Sequence, residues 1–301
     1  MIDAHHHIWR QADLPWLLGP EQPRIFGPYS SIKRDYLIDE FKRDLKGTGI
    51  TRSVYVQANW APNWAADEAA WVQSVSENEG DGWPHGIVAY ADFTVEDVQP
   101  QLDKLSRYSL VRGIRQQLHW HPKPLYRFAP HGGLAADPTV RRNIAKLALY
   151  DWSFDLQVFE HQMADAVGLA EACPDVTFIL QHAGMLEDTS KEGRRNWERG
   201  MKRLADCDNI CTKLSAFGTF IHRNDPAFIA DMVQTTVGMF GADRCMYGSN
   251  FPIEKIWTSY SDLFAAFQAA TAKLSKPQKQ AIFNDTAERV YRLPTDTQIK
   301  E

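Results

Sequence analysis

Histidines at positions 5 and 7 open this chain, in the run Met-Ile-Asp-Ala-His-His-His that continues into Ile8 and Trp9. On a strand, successive side chains alternate faces, so His5 and His7 share one surface with Asp3 below them and His6 points the other way. Two imidazoles so spaced reach one divalent ion at about 2.0–2.1 Å, the arrangement zinc favours, provided the fold adds a third ligand. Three consecutive histidines also suit the stub of a purification tag, but Ile2, Ala4, Ile8 and Trp9 set them in an apolar strand pattern that a tag lacks. His182 is the candidate third ligand: it ends the apolar run from Val176 and precedes Ala183-Gly184, a turn that permits close backbone approach. Three histidine nitrogens with an open position form the catalytic zinc pattern, which brings the pKa of bound water to about 7 and polarises a carbonyl. A histidine hydrogen-bonded across the fold without metal is the alternative.

Those residues lie far apart in sequence, so a fold must bring them together. Eight short apolar or β-branched runs alternate with segments of helical period, the pattern of βα units around a parallel sheet. Strands are expected at 2–9, 53–58, 86–93, 110–118, 153–159, 176–182, 209–215 and 244–252. Helices are expected at about 36–46, 64–78, 95–108, 138–150, up to 172, up to 205, 228–240, 263–273 and 277–291. The result is an α/β protein, a single-domain (β/α)8 TIM barrel over 1–301. A Pro- and Gly-rich loop at about 10–35 follows the paired histidines and is read as a roof over the site. Active sites of such barrels lie at the C-terminal strand ends, where His7, Asn59, Arg115, His161, His182, Lys213 and Asn250 all fall. That convergence is the main argument for an enzyme.

Composition narrows the partners. A net charge of −5 with interspersed signs offers no basic field for nucleic acid and no basic amphipathic helix for a membrane, so a small-molecule substrate is expected. Four scattered cysteines without a C-x-x-C motif suit a reduced, cytoplasmic protein, and neither a signal segment nor a run of eighteen apolar residues is present. A homo-oligomer remains open.

Taken together, Ile-Asp-Ala-His5-x-His7, the Gln-His182-Ala-Gly turn, Lys213-Leu-Ser and Arg244-Cys-Met-Tyr-Gly-Ser-Asn-Phe-Pro resemble the amidohydrolase superfamily. Within it, the chain is similar to the amidohydrolase 2 branch that holds L-fuconolactonase and pyrone-dicarboxylate lactonase. The resemblance runs from strand one to strand eight. It implies a (β/α)8 barrel hydrolysing the ring ester of a sugar acid or an aromatic-degradation intermediate, with a divalent metal in some relatives and none in others. Decarboxylases and hydratases occupy neighbouring branches.

One departure matters. The superfamily usually ends strand eight with an aspartate, and here the matching position is Asn250. A carboxamide orients water or offers a weak oxygen ligand, but it takes up no proton at neutral pH. General-base work then shifts to His161, Glu160, His119, His121 or Glu254, or falls to a metal-bound hydroxide. His161 ranks first because Phe-Glu-His-Gln ends strand five, where many members of the superfamily place a ligand histidine; an ordinary residue at a helix start is its structural alternative. Arg115 and Lys213 suit a substrate carboxylate or an oxyanion, with salt bridges to Asp92 or Glu160 as the alternative. Asn59, Trp60, Trp120 and Tyr29 are candidates to shape the pocket.

The expected activity is metal- or histidine-assisted lactone hydrolysis, with His161, His182 and Asn250 catalytic. Asn59, Arg115 and Lys213 bind substrate, and His5, His7 and His182 hold the metal, zinc first. Non-oxidative decarboxylation of an aromatic acid and non-catalytic ligand binding are the rival readings.

Overall fold

A computed structural model describes residues 1–295, so positions 296–301 of the expected 1–301 unit lie outside the described residues. Eight strands form one sheet in sequence order: β1 (Ile2–His6), β2 (Arg52–Val56), β3 (Gly86–Ala89), β4 (Val111–Ile114), β5 (Ser153–Leu156), β6 (Phe178–Leu180), β7 (Ile210–Leu214) and β8 (Cys245–Tyr247). Every neighbouring pair is parallel. The ring closes where the chain leaving β8 meets β1. There His7 donates its backbone N–H to the Phe251 carbonyl at 2.7 Å, and Asn250 donates to the His5 carbonyl at 2.7 Å. A (β/α)8 TIM barrel is therefore what the alternating pattern builds, with a helix after each strand (Ile38–Asp44, Ala65–Asn78, Gln99–Leu105, Pro138–Ala145, Met163–Ala172, Lys191–Ala205, Pro226–Phe240 and Tyr260–Ala270).

Local chemistry starts several of these helices. Asp137 and Asp225 each accept two backbone N–H groups at a helix N-terminus followed by proline, and Ser190 and Ser259 cap two others, each cap being worth about 1 kcal/mol. Two apolar shells result. The barrel interior is filled by Ile2, Ala4, Val54, Val56, Val88, Ile179 and Met246 and is stopped at its lower end by Tyr291 and Leu293. A larger shell lies between strands and helices.

Ladder pairing ends earlier than the apolar runs do. Strand eight, expected over 244–252, pairs only through Cys245–Tyr247, and strand six stops at Leu180 rather than at His182. The residues beyond each end are freed to turn over the barrel mouth, which places their polar groups there. The loop at 10–35 is more ordered than a bare excursion: it carries a helical turn at Pro15–Leu18 and 3-10 turns at Gln11–Asp13 and Ser30–Ile32. Among the described residues no helix is long and apolar enough to cross a membrane.

Candidate active site

The register between β1 and β2 shifts between Asp3 and His6, and that irregularity decides where the first histidines point. His5 and His7 face the barrel mouth, their ring centroids 5.1 Å apart, and the His182 ring centroid lies 4.8 Å from that of His5. His6 turns outward and stacks on Phe41 at 3.8 Å. Asp3 does not sit below the two site histidines as simple alternation predicts. It bonds to the Tyr260 hydroxyl at 2.8 Å and accepts the Ser249 and His5 N–H groups at 2.9 and 3.1 Å, tying β1 to the segment after β8.

Each ring is oriented by a partner on Nδ1. For His7 the partner is the Val56 carbonyl at 2.7 Å; a carbonyl only accepts, so Nδ1 carries the proton and Nε2 keeps its lone pair, with the Asn250 side chain beside the ring. His182 Nδ1 meets the Ser215 hydroxyl at 2.8 Å. His182 sits at φ 56° and Ala183 at φ 45°, left-handed backbone that costs non-glycine residues of order 1–3 kcal/mol and persists only when the surroundings hold it. Here Trp197 Nε1 donates to the Ala183 carbonyl at 2.8 Å and helps to do so. His5 Nδ1 faces the Lys213 ammonium at 3.4 Å, which can only donate to it, so the neutral ring keeps its proton on Nε2, an atom with no hydrogen-bond partner. Burial, reinforced by nearby cations, keeps all three rings neutral: His5 and His182 are held well below the usual histidine range, and His7 falls to about 3.

This arrangement brings the three expected ligands together, but its donor set does not fit a protein-held zinc. His5 turns a protonated nitrogen inward, Asn250 replaces a carboxylate, and Lys213 and Arg115 stand beside the cluster as two buried cations. Among the described residues no group of three or more His, Cys, Asp or Glu side chains is placed to hold a metal ion.

Two expectations need correction. Lys213 is fully buried on β7, bonds to Asp155 of β5 at 2.7 Å and lies outside the cavity lining, so its charge is engaged within the barrel. His161 is exposed on the turn Glu160–Gln162 and lies outside the cavity lining. Its neighbour Gln162 points inward and donates to the Leu118 carbonyl at 2.9 Å, which leaves the His161 ring facing away, 5.5 Å from His121.

Of the other expected residues, Asn59, Trp60, Arg115 and Asn250 line a cavity of about 840 Å³ over the C-terminal strand ends, together with His7 and His182, whereas His5, Tyr29 and Trp120 lie outside its lining. Arg115, at the end of β4, is buried; its Nη2 donates to the Gln57 carbonyl at 2.6 Å, its Nε has no partner, and among the described residues it makes no ion pair. Desolvation lowers its pKa to about 10, still far above neutrality. Asn59 holds left-handed backbone at φ 63° in a turn fixed by buried Glu68, which accepts the Ala58 N–H at 2.6 Å and the Tyr55 hydroxyl at 2.7 Å. Asn250 lies between His7 and the buried Glu254, whose Oε2 accepts Trp257 Nε1 at 2.9 Å while Oε1 has no hydrogen-bond partner. Burial pushes Glu254 up to about 8 and Glu68 up to about 7.

These shifts set the pH dependence of stability. His7 and His119 titrate near 3 when folded against 6.5 when unfolded, and His5, His6 and His182 are shifted the same way. Up to pH 6.5 the unfolded chain therefore binds more protons, and stability rises with pH. For Glu68 and Glu254 the folded state holds the proton longer, so stability falls as pH rises from 4.5 through 7 and 8. The histidines dominate well below 6.5 and lose their effect just above it, where the two carboxyls take over, so the stability maximum is expected near pH 6.5–7. Glu254 alone should cost about 2 kcal/mol between there and pH 8. Urea midpoints at pH 5.5, 6.5 and 8 check this; Glu254→Gln should flatten the alkaline decline, and an unchanged decline would remove Glu254 as its cause.

Sequence reasoning missed Asp155 and Phe220, and it gave no role to Ser215 of the Lys213-Leu-Ser segment or to Gln57 at the exit of strand two. A charged residue inside the apolar run Ser153-Phe-Asp-Leu was the available signal for Asp155; nothing in the sequence marks Phe220.

Comparison with known proteins agrees with the geometry. A relative from Sinorhizobium fredii, "Uncharacterized protein y4mH", is 35% identical over 97% of this chain and 98% of its own. An L-fucono-1,5-lactonase from Burkholderia multivorans is 26% identical over 97% of this chain and 96% of its own. A crystal structure of an amidohydrolase from Burkholderia multivorans with bound zinc superposes with a TM-score of 0.81 at 24% identity, covering 97% of this chain and 99% of that one. The amidohydrolase family model Amidohydro_2 matches residues 2–293, and the chain belongs to that family.

Proposed function

We propose that this protein hydrolyses a lactone bearing a carboxylate, with neutral imidazoles rather than a carboxylate activating the water. The observation that carries this reading is the cavity floor, where His7 and His182 stand beside a buried guanidinium that has no ion-pair partner among the described residues. Water held at the imidazole nitrogens adds to the ring carbonyl; its oxygen bonds to carbon while the proton passes to an imidazole, a weak base in the free protein whose proton affinity rises as the anionic substrate and the oxyanion offset the neighbouring cations. Arg115 stabilises the oxyanion or the substrate carboxylate, and Asn250 orients the water. Collapse breaks the ring C–O bond, and the imidazolium returns the proton to the departing alkoxide. Both steps balance without an outside acid or base. Similarity to the L-fucono-1,5-lactonases supports the ring-ester class of substrate.

The test is acid release across a panel of sugar-acid and pyrone-type lactones, run on protein dialysed against chelator and on protein supplied with zinc. Turnover that survives chelation is the expected result. Carbon dioxide release from aromatic acids in place of ring opening would select decarboxylation. Tight ligand binding without any turnover would select a binding protein, and activity only with added zinc would overturn the imidazole scheme.

A further inference from the structure

The cavity is larger than hydrolysis of a small lactone requires. At about 840 Å³ it falls towards the upper end of ligand cavities, whereas the groups that could act on a carbonyl occupy only its floor. Above the floor the lining changes character. Trp16 and Phe26 come from the loop after β1, Leu125, Tyr126 and Phe128 from the loop after β4, and Phe220 from the loop after β7. Among the described residues no aspartate or glutamate lines the cavity, and Arg115, Arg24 and Arg127 do.

We propose that the substrate carries an aryl group, seated between these loops in an apolar annex above the lactone ring. The inference rests on the lactonase reading and names the class of lactone. Leu125 and Phe128 are 45% and 46% exposed at the cavity mouth, large apolar side chains that the protein's own packing leaves uncovered. The annex is built mainly of rings meeting edge to face, Trp16 with Phe26 at 6.3 Å and 68° and Tyr126 with Phe220 at 5.5 Å and 70°. Such walls present ring edges and faces to a flat aromatic guest, and offset or edge-on pairs gain beyond the area they bury. The anionic end of the same substrate meets the unpaired Arg115 below, so the annex and the floor read one amphipathic molecule along the cavity axis.

The test compares a δ-lactone carboxylate with and without a phenyl substituent. Burial of one ring is expected to raise kcat/KM for the aryl substrate about 10- to 100-fold. Phe128→Ala and Phe26→Ala should each lower the aryl-to-plain ratio at least fivefold; Phe128 is exposed enough that its loss leaves the fold intact. A wild-type ratio near one, or a ratio that neither variant changes, would overturn the annex, as would a hexyl substituent serving as well as phenyl. Calorimetric titration with the two ring-opened hydroxy acids separates this inference from the reading beneath it. If neither lactone turns over but the aryl acid binds at least tenfold tighter, the annex stands and lactonase activity falls. Equal affinities sink the annex whatever the turnover.

Discussion

Lys213→Met is expected to lower the stability of the fold by about 3–5 kcal/mol, because it leaves the Asp155 carboxylate charged and buried without its counterion. Both partners are fully buried at 2.7 Å, so solvent screens nothing. Asp155 would keep the Gln181 Nε2 at 3.0 Å and the Tyr291 hydroxyl at 3.1 Å, and these neutral donors replace only part of what an ammonium supplies. Removing both charges in Lys213→Met/Asp155→Leu should cost less than the single change, since a buried pair exchanged for apolar groups is often close to neutral. The residual loss then measures the stranded Gln181 and Tyr291 donors. Urea unfolding of the two single variants and the double one closes the cycle. Additive losses would mean that the ion pair couples weakly and that Lys213 matters through His5 alone.

The same pair shows where a sequence stops being readable. Eight apolar runs with polar ends gave the barrel, because strand period and helix period are local properties of the chain. The i, i+2 spacing of His5 and His7 also survived folding, although a register shift rather than plain alternation turned Asp3 away from them. A strand-end position, by contrast, does not say how deep a side chain sits. Lys213 and Arg115 look alike in sequence. One lies against a carboxylate two strands away, and the other reaches the cavity and donates to a backbone carbonyl. His161 misled for a related reason: where the turn after β5 begins decides whether residue 161 or residue 162 faces inward, and that is a tertiary choice. The apolar annex was only half legible, since the loops could be read as a roof but not the rings that meet between them.

Arg115 yields the sharpest functional expectation because its effect on catalysis should far exceed its effect on folding. Among the described residues the buried guanidinium touches no carboxylate, and the fall of its pKa to about 10 records its desolvation. Arg115→Met keeps most of the volume and relieves that desolvation, but it strands the Gln57 carbonyl and removes the attraction of Asp155 and Glu68, so the fold should shift by no more than roughly 1–2 kcal/mol. Turnover should fall much further. Loss of a preorganised donor to an oxyanion or substrate carboxylate lowers kcat/KM by about 10²–10³. Arg115→Lys is an intermediate test: it retains the charge but not the planar fork, so it should recover affinity for a carboxylate only in part. Unfolding midpoints set beside kcat/KM for all three proteins decide the matter. A variant that loses stability while keeping its activity would make Arg115 a structural brace for the Gln57 turn, and the anion-binding floor would have to be sought elsewhere in the cavity.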